Sequence, residues 1–175
     1  MKKLLVVVDM QVDFVTGSLG SDMARAIVPA VCEKVEMADE DPDTEVVYTF
    51  DTHTTEYLKT MEGQKLPVPH CIDGTEGWQL ISELRDFVGD NHKFVKRTFG
   101  SVELAQHVAR HSYDEVELCG LCSDICVVSN ALLIKAHASG TRIVVDAQAC
   151  AGVTEESHKA ALLTMKMCHI DIVNE

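Results

Sequence analysis

The sequence predicts an α/β fold in which a parallel sheet is covered by helices on both faces. Strand-like and helix-like segments alternate along the chain, the strand segments are continuously apolar, and reactive polar residues recur just after them. With 175 residues, 46% hydrophobic and 25% charged, the chain is expected to form one domain over 1–175.

The elements follow in order. Residues 4–8 are a short β-branched apolar run, which reads as a strand buried on both faces. Segment 22–38 has helical spacing and is followed by acidic residues and Pro42. Residues 45–50 form a second strand and 92–95 a weaker third, followed by a helix over 101–110. A fourth strand over 115–119 is expected to stop at Gly120, and a long helix over 123–137 to begin at Ser123 as its N-cap. Residues 141–145 read as a fifth strand. Thr154 caps a helix running to Met167, with Glu155 and Glu156 in its first turn, and 170–173 closes the pattern as a strand. Segment 52–91 is the longest stretch without periodicity, and there are no repeats or linkers.

A net charge of −13 argues against nucleic acid and anionic membrane surfaces as partners. Asp9 interrupts the first apolar run too early for a secretory signal, and no stretch reaches the roughly 18 apolar residues of a spanning helix, so a cytoplasmic location is expected. Seven irregularly spaced cysteines do not suggest a disulfide framework; most should be packing residues.

In open α/β sheets, ligands bind beyond the carboxyl ends of the strands. Asp9, then Asp51 and His53, then Lys96, then segment 120–126 all follow strands, so four strand ends bring reactive groups to one edge. Cys126 in the first turn of a helix is expected to have a depressed pKa, with free N–H groups able to hold an oxyanion. Asp9 and Lys96 would supply a proton acceptor and a cation beside it. A rival reading takes Cys119, Cys122 and Cys126 as a C-x2-C-x3-C metal-binding or redox module. The remaining histidines, His158 among them, read as helix-surface or packing residues.

These residues fall in recognisable motifs. Asp9-Met10-Gln11-Val12-Asp13-Phe14 resembles the D-x-Q-x-D-F opening of isochorismatase-like cysteine hydrolases, particularly the nicotinamidase-like branch. Lys96 with Phe99 resembles the family's K-x-x-[FY] segment, and Gly120 to Val127 its nucleophile segment. The resemblance implies a three-layer αβα fold with a six-stranded parallel sheet and a triad of Asp9, Lys96 and Cys126. It also implies a cis peptide at Leu121–Cys122 and an oxyanion hole from the backbone N–H groups of Cys122 and Cys126. Gln11, Phe14, Leu121 and Ile125 are the expected substrate contacts.

The same resemblance assigns a divalent metal, with zinc expected, to Asp51, His53 and His70. A D-x-H pair at a strand end puts both side chains on one side, and His70 could complete a two-histidine, one-carboxylate face. Gly74-Thr75-Glu76-Gly77 resembles that branch's G-T-x-G loop. Two departures stand out: Thr52 lies between Asp51 and His53, and Leu66-Pro67-Val68 precedes His70, where the branch carries aromatic residues. Hydrolysis of nicotinamide or a related small carboxamide through a thioester is therefore expected. The alternative substrate is a ureido, carbamoyl or other small amide lacking the pyridine ring. By resemblance, the chain should form a homo-oligomer, a dimer or tetramer.

Overall fold

The computed structural model describes residues 1–89 and 93–175. Its strands are β1 (Lys3–Val8), β2 (Thr44–Asp51), β3 (Lys93–Lys96), β4 (Glu115–Leu121), β5 (Arg142–Ala151) and β6 (Asp171–Val173). All pair in parallel, in the order β3-β2-β1-β4-β5-β6. The order reverses between β1 and β4, the switch point where a doubly wound sheet opens a crevice at its carboxyl edge.

The helices are α1 (Val12–Val15), α2 (Asp22–Ala26), α3 (Val28–Glu40), α4 (Met61–Lys65), α5 (Val102–His111), α6 (Val128–His137) and α7 (Glu155–Met167). Side chains alternate across each strand, so β1 feeds two cores. Leu4, Val6 and Val8 pack with Leu104 and Val108 of α5, Ala131 and Ile134 of α6, and Leu162 and Met165 of α7. Leu5 and Val7 pack on the other face with Val31 and Val35 of α3 and with Leu80 and Leu84. Cys126 belongs to the first core and Cys119 to the second, which separates two members of the C-x2-C-x3-C run. Among the described residues, no helix is long and apolar enough to cross a membrane.

Several boundaries differ from expectation. Segment 22–38 is two helices, because Pro29 at the start of α3 has no N–H to continue the ladder from α2. Gly120 does not stop β4: its φ of +111° and its closeness to β1, where a Cβ would meet the Val8 carbonyl at 2.2 Å, let the strand run on to Leu121. β5 extends to Ala151 past a register irregularity against β4, with Asp146 Oδ1 accepting from the N–H groups of Gln148 and Ala149. The third strand is Lys93–Lys96; His92, its expected first residue, lies outside the described residues.

Candidate active site

Asp9 follows β1 in the left-handed region, at φ 48°, an unfavourable conformation for a non-glycine residue that surrounding contacts must hold. Thr49 supplies that hold from β2: its hydroxyl donates to Asp9 Oδ1 at 2.6 Å and accepts from the Asp9 N–H at 3.2 Å. Thr49 stands two residues before Asp51, so strand alternation puts both on one side of β2. Nothing in the sequence reading had singled it out.

Lys96 ends β3 with its side chain 1% exposed. Its Nζ lies 2.7 Å from Asp9 Oδ2, 3.3 Å from Asp51 Oδ1 and 3.4 Å from Cys126 Sγ. The three groups delivered by β1, β3 and the segment after β4 therefore meet at one point. Burial alone would lower the lysine's pKa, but the charges of Asp9, Cys126 and Asp51 reverse that and hold the ammonium protonated. Burial raises the Asp9 carboxyl above the ordinary aspartate range; Lys96 opposes the shift and Asp51 adds to it.

Cys126 departs from expectation twice. Its thiol is pushed well above the ordinary range, by burial first and then by the negative charge of Asp9, with Lys96 opposing. The helix-start effect loses because the sulfur is dry and faces carboxylates. The turn that carries it, Ser123–Val127, is a π-helical turn with Cys122, not Ser123, at its cap. The Cys122 carbonyl accepts from Ile125 and Val127, so the wide turn passes over the N–H of Cys126. Ser123 instead shares a 2.7 Å hydrogen bond with Nδ1 of His158, so that histidine braces the turn from α7. The Leu121–Cys122 peptide bond is cis.

Beside this group lies a second cluster. His53 Nε2 is 2.9 Å and His70 Nε2 3.4 Å from Asp51 Oδ2, and the two nitrogens are 3.6 and 3.7 Å from Glu62 Oε1. One ligand atom from each of the four residues lies within 4.8 Å of the others. The donor chemistry fits a divalent metal: two imidazole nitrogens and two carboxylate oxygens converge. His70 Nδ1 donates to the Val68 carbonyl at 2.8 Å, which in the neutral ring leaves the Nε2 lone pair facing the cluster, the atom a metal would take. Burial opposes ionisation of Asp51, but the imidazoles of His53 and His70, when they carry a proton toward it, and the Lys96 charge outweigh it and hold the carboxyl below the usual range. Glu62 lies on α4, inside the segment without periodicity, so no sequence signal marked it.

The two clusters share a pocket of about 190 Å³, mainly apolar, whose walls include Phe14, Leu66, Phe99, Leu121, Ile125 and Val153. Phe14 also packs on His70, with ring centroids 5.4 Å apart. Gln11, expected as a substrate contact, is buried behind the pocket wall. Its Nε2 donates to the carbonyls of Asp51 and Trp78, and its Oε1 accepts from the Asp51 N–H at 2.8 Å, so both ends of the amide anchor neighbouring backbone.

A parallel α/β sheet that gathers a buried cysteine, lysine and aspartate beyond its carboxyl edge is an arrangement suited to hydrolase chemistry. The isochorismatase domain model matches residues 3–174, and the chain belongs to the isochorismatase family. It is 32% identical, over 93% of each chain, to the isochorismatase family protein PncA of Bacillus subtilis. It is similar to the crystal structure of nicotinamidase/pyrazinamidase PncA from Bacillus subtilis, with TM-score 0.85, 28% identity and 98% and 99% of the two chains covered. The pyrazinamidase of Pyrococcus horikoshii in complex with zinc aligns over 100% of both chains, with TM-score 0.81 and 25% identity.

Proposed function

We propose that the protein is a cysteine-dependent nicotinamidase, hydrolysing nicotinamide to nicotinate and ammonia. The carrying observation is that Cys126, which lines an apolar pocket, touches Lys96, and Lys96 pairs with Asp9. The relatives named nicotinamidase support the substrate. The apolar wall does as well: Leu66 stands where an aromatic residue was expected, yet keeps the lining suited to a flat ring and poor for a polar ureido group.

In this reading, Cys126 begins as a thiol. Asp9, whose proton affinity burial has raised, takes the proton as sulfur attacks the carboxamide carbon. Lys96 stays charged and balances the anion that passes between the two. The N–H groups of Cys122 and Cys126 face the developing oxyanion. Asp9 returns the proton to the leaving nitrogen, so ammonia departs and a thioester remains. Asp9 then deprotonates water, which cleaves the thioester and restores the thiol.

Asp51, His53, His70 and Glu62 would hold the metal, zinc in this proposal by analogy with the Pyrococcus structure. Bound there, it would supply a Lewis-acidic centre at the pocket wall. Self-association into dimers or tetramers belongs to the same proposal and is read directly by light scattering.

The test is ammonia release from nicotinamide by purified protein. Cys126→Ala should abolish it; retained turnover would remove Cys126 from the reaction.

A further inference from the structure

We infer that Asp13 is a positioning residue that holds His70 in the metal cluster through the Cys71 peptide; this rests on the metal reading above. Asp13 lies on α1 and is absent from the pocket wall. Its Oδ2 accepts from the Cys71 N–H at 2.8 Å and its Oδ1 from the Ser18 N–H at 3.3 Å. Cys71 adopts the left-handed region, at φ 46°, a conformation that persists in a non-glycine residue only when surrounding contacts over-determine it.

Those contacts come from both sides. The Cys71 carbonyl accepts from the His53 N–H at 2.9 Å, so one residue is tied to Asp13 at its amide and to the other histidine at its carbonyl. On the far side of His70, the Ser18 hydroxyl donates to the Pro69 carbonyl at 3.2 Å. Both neighbours of His70 are thus anchored to segment 13–18, while Phe14 packs on its ring.

The carboxylate is itself caged. A Cβ at Gly17 would lie 2.3 Å from Asp13 Oδ1, and one at Gly77 would lie 2.2 Å from Oδ2. Only glycine at both positions lets the carboxylate reach Cys71, which gives the second glycine of the G-T-x-G loop a physical role. Partners of this kind fix ligand orientation, and their loss typically weakens metal affinity while the ligands themselves remain.

The experiment is competition between the full chain and a chromophoric chelator for Zn²⁺, with thermal unfolding followed on the same samples. Asp13→Ala should weaken Zn²⁺ binding roughly ten- to a hundredfold. Asp13→Asn, which keeps an oxygen for the Cys71 N–H, should bind nearer the parent. A folded Asp13→Ala with parental affinity overturns the inference, because a merely structural role would move the melting temperature and leave Zn²⁺ affinity alone. If Asp13→Ala does not fold, Gly77→Ala decides: it displaces the carboxylate without removing it, so weakened binding supports the role and parental affinity overturns it. A parent chain that binds no Zn²⁺ removes the metal reading and this inference together, which separates that failure from the others.

Discussion

Lys34 and Lys96 each bridge two carboxylates, and they differ in what surrounds them. Lys34 on α3 binds Glu117 at 2.8 Å and Asp146 at 2.6 Å, with side-chain exposures of 22, 27 and 4%. Lys96 binds Asp9 and Asp51 with exposures of 1, 0 and 4%, and a thiol completes its surroundings. The Lys34 group is half wet and saturated: Asp146 also binds Asn174 and two backbone N–H groups. It ties α3 and the C-terminal strand to the sheet. In the Lys96 group, Asp9 Oδ2 lies 2.7 Å from the ammonium and Oδ1 takes the Thr49 hydroxyl, with no water-exposed partner. The proposed function uses this dry, ion-paired carboxylate as the acceptor of the thiol's proton. The same residue types therefore give an anchor where water reaches them and, in the proposed function, a reactive group where it does not.

Four substitutions sharpen this contrast. Lys96→Met should cost the most, lowering kcat/KM for ammonia release by about a thousandfold or more, because the anion it balances is then uncompensated in a dry site. Asp9→Asn should follow, with a loss of roughly 10²–10⁴ in kcat, as expected for removal of a general base. Lys34→Met should leave turnover nearly unchanged and lower stability by about 1–3 kcal/mol in urea unfolding. A large activity loss there would erase the distinction between the two groups.

The smallest effect is one of pH. Burial alone would raise Asp146's pKa, but hydrogen bonds from Lys34 and Asn174 outweigh it and depress the value in the folded state. Its contribution is therefore present above the unfolded pKa and lost as pH falls through the folded one. The stability gap between the parent and Asp146→Asn should be full at pH 7 and shrink steadily below about pH 5. A gap that widened in acid would contradict the assignment.

The convergence of Asp9, Lys96 and Cys126 was legible because each stands at the end of an apolar segment, where strand order and pleat dictate what reaches the edge. Asp51, His53 and His70 were legible through spacing and family resemblance. Glu62 was not, since short turns hold it in place and leave no periodic trace. The π turn was equally silent: widening one turn by a residue changes no composition, so Ser123 looked like a cap until His158 appeared beside it. The expected low pKa of Cys126 failed for a different reason, since a helix start is local while burial and the Asp9 charge come from other strands. Gln11 lay in the right motif, but its amide proved to be a strut between α1 and β2.

The central claim is that Cys126 carries the acyl group. Rapid acid quench during nicotinamide turnover, followed by peptide mass spectrometry, tests it most directly. The account predicts a nicotinoyl thioester on the peptide bearing Cys126, located on that sulfur and absent from Cys126→Ser. Steady ammonia production with no adduct on Cys126, or with the adduct on Cys122, would contradict it.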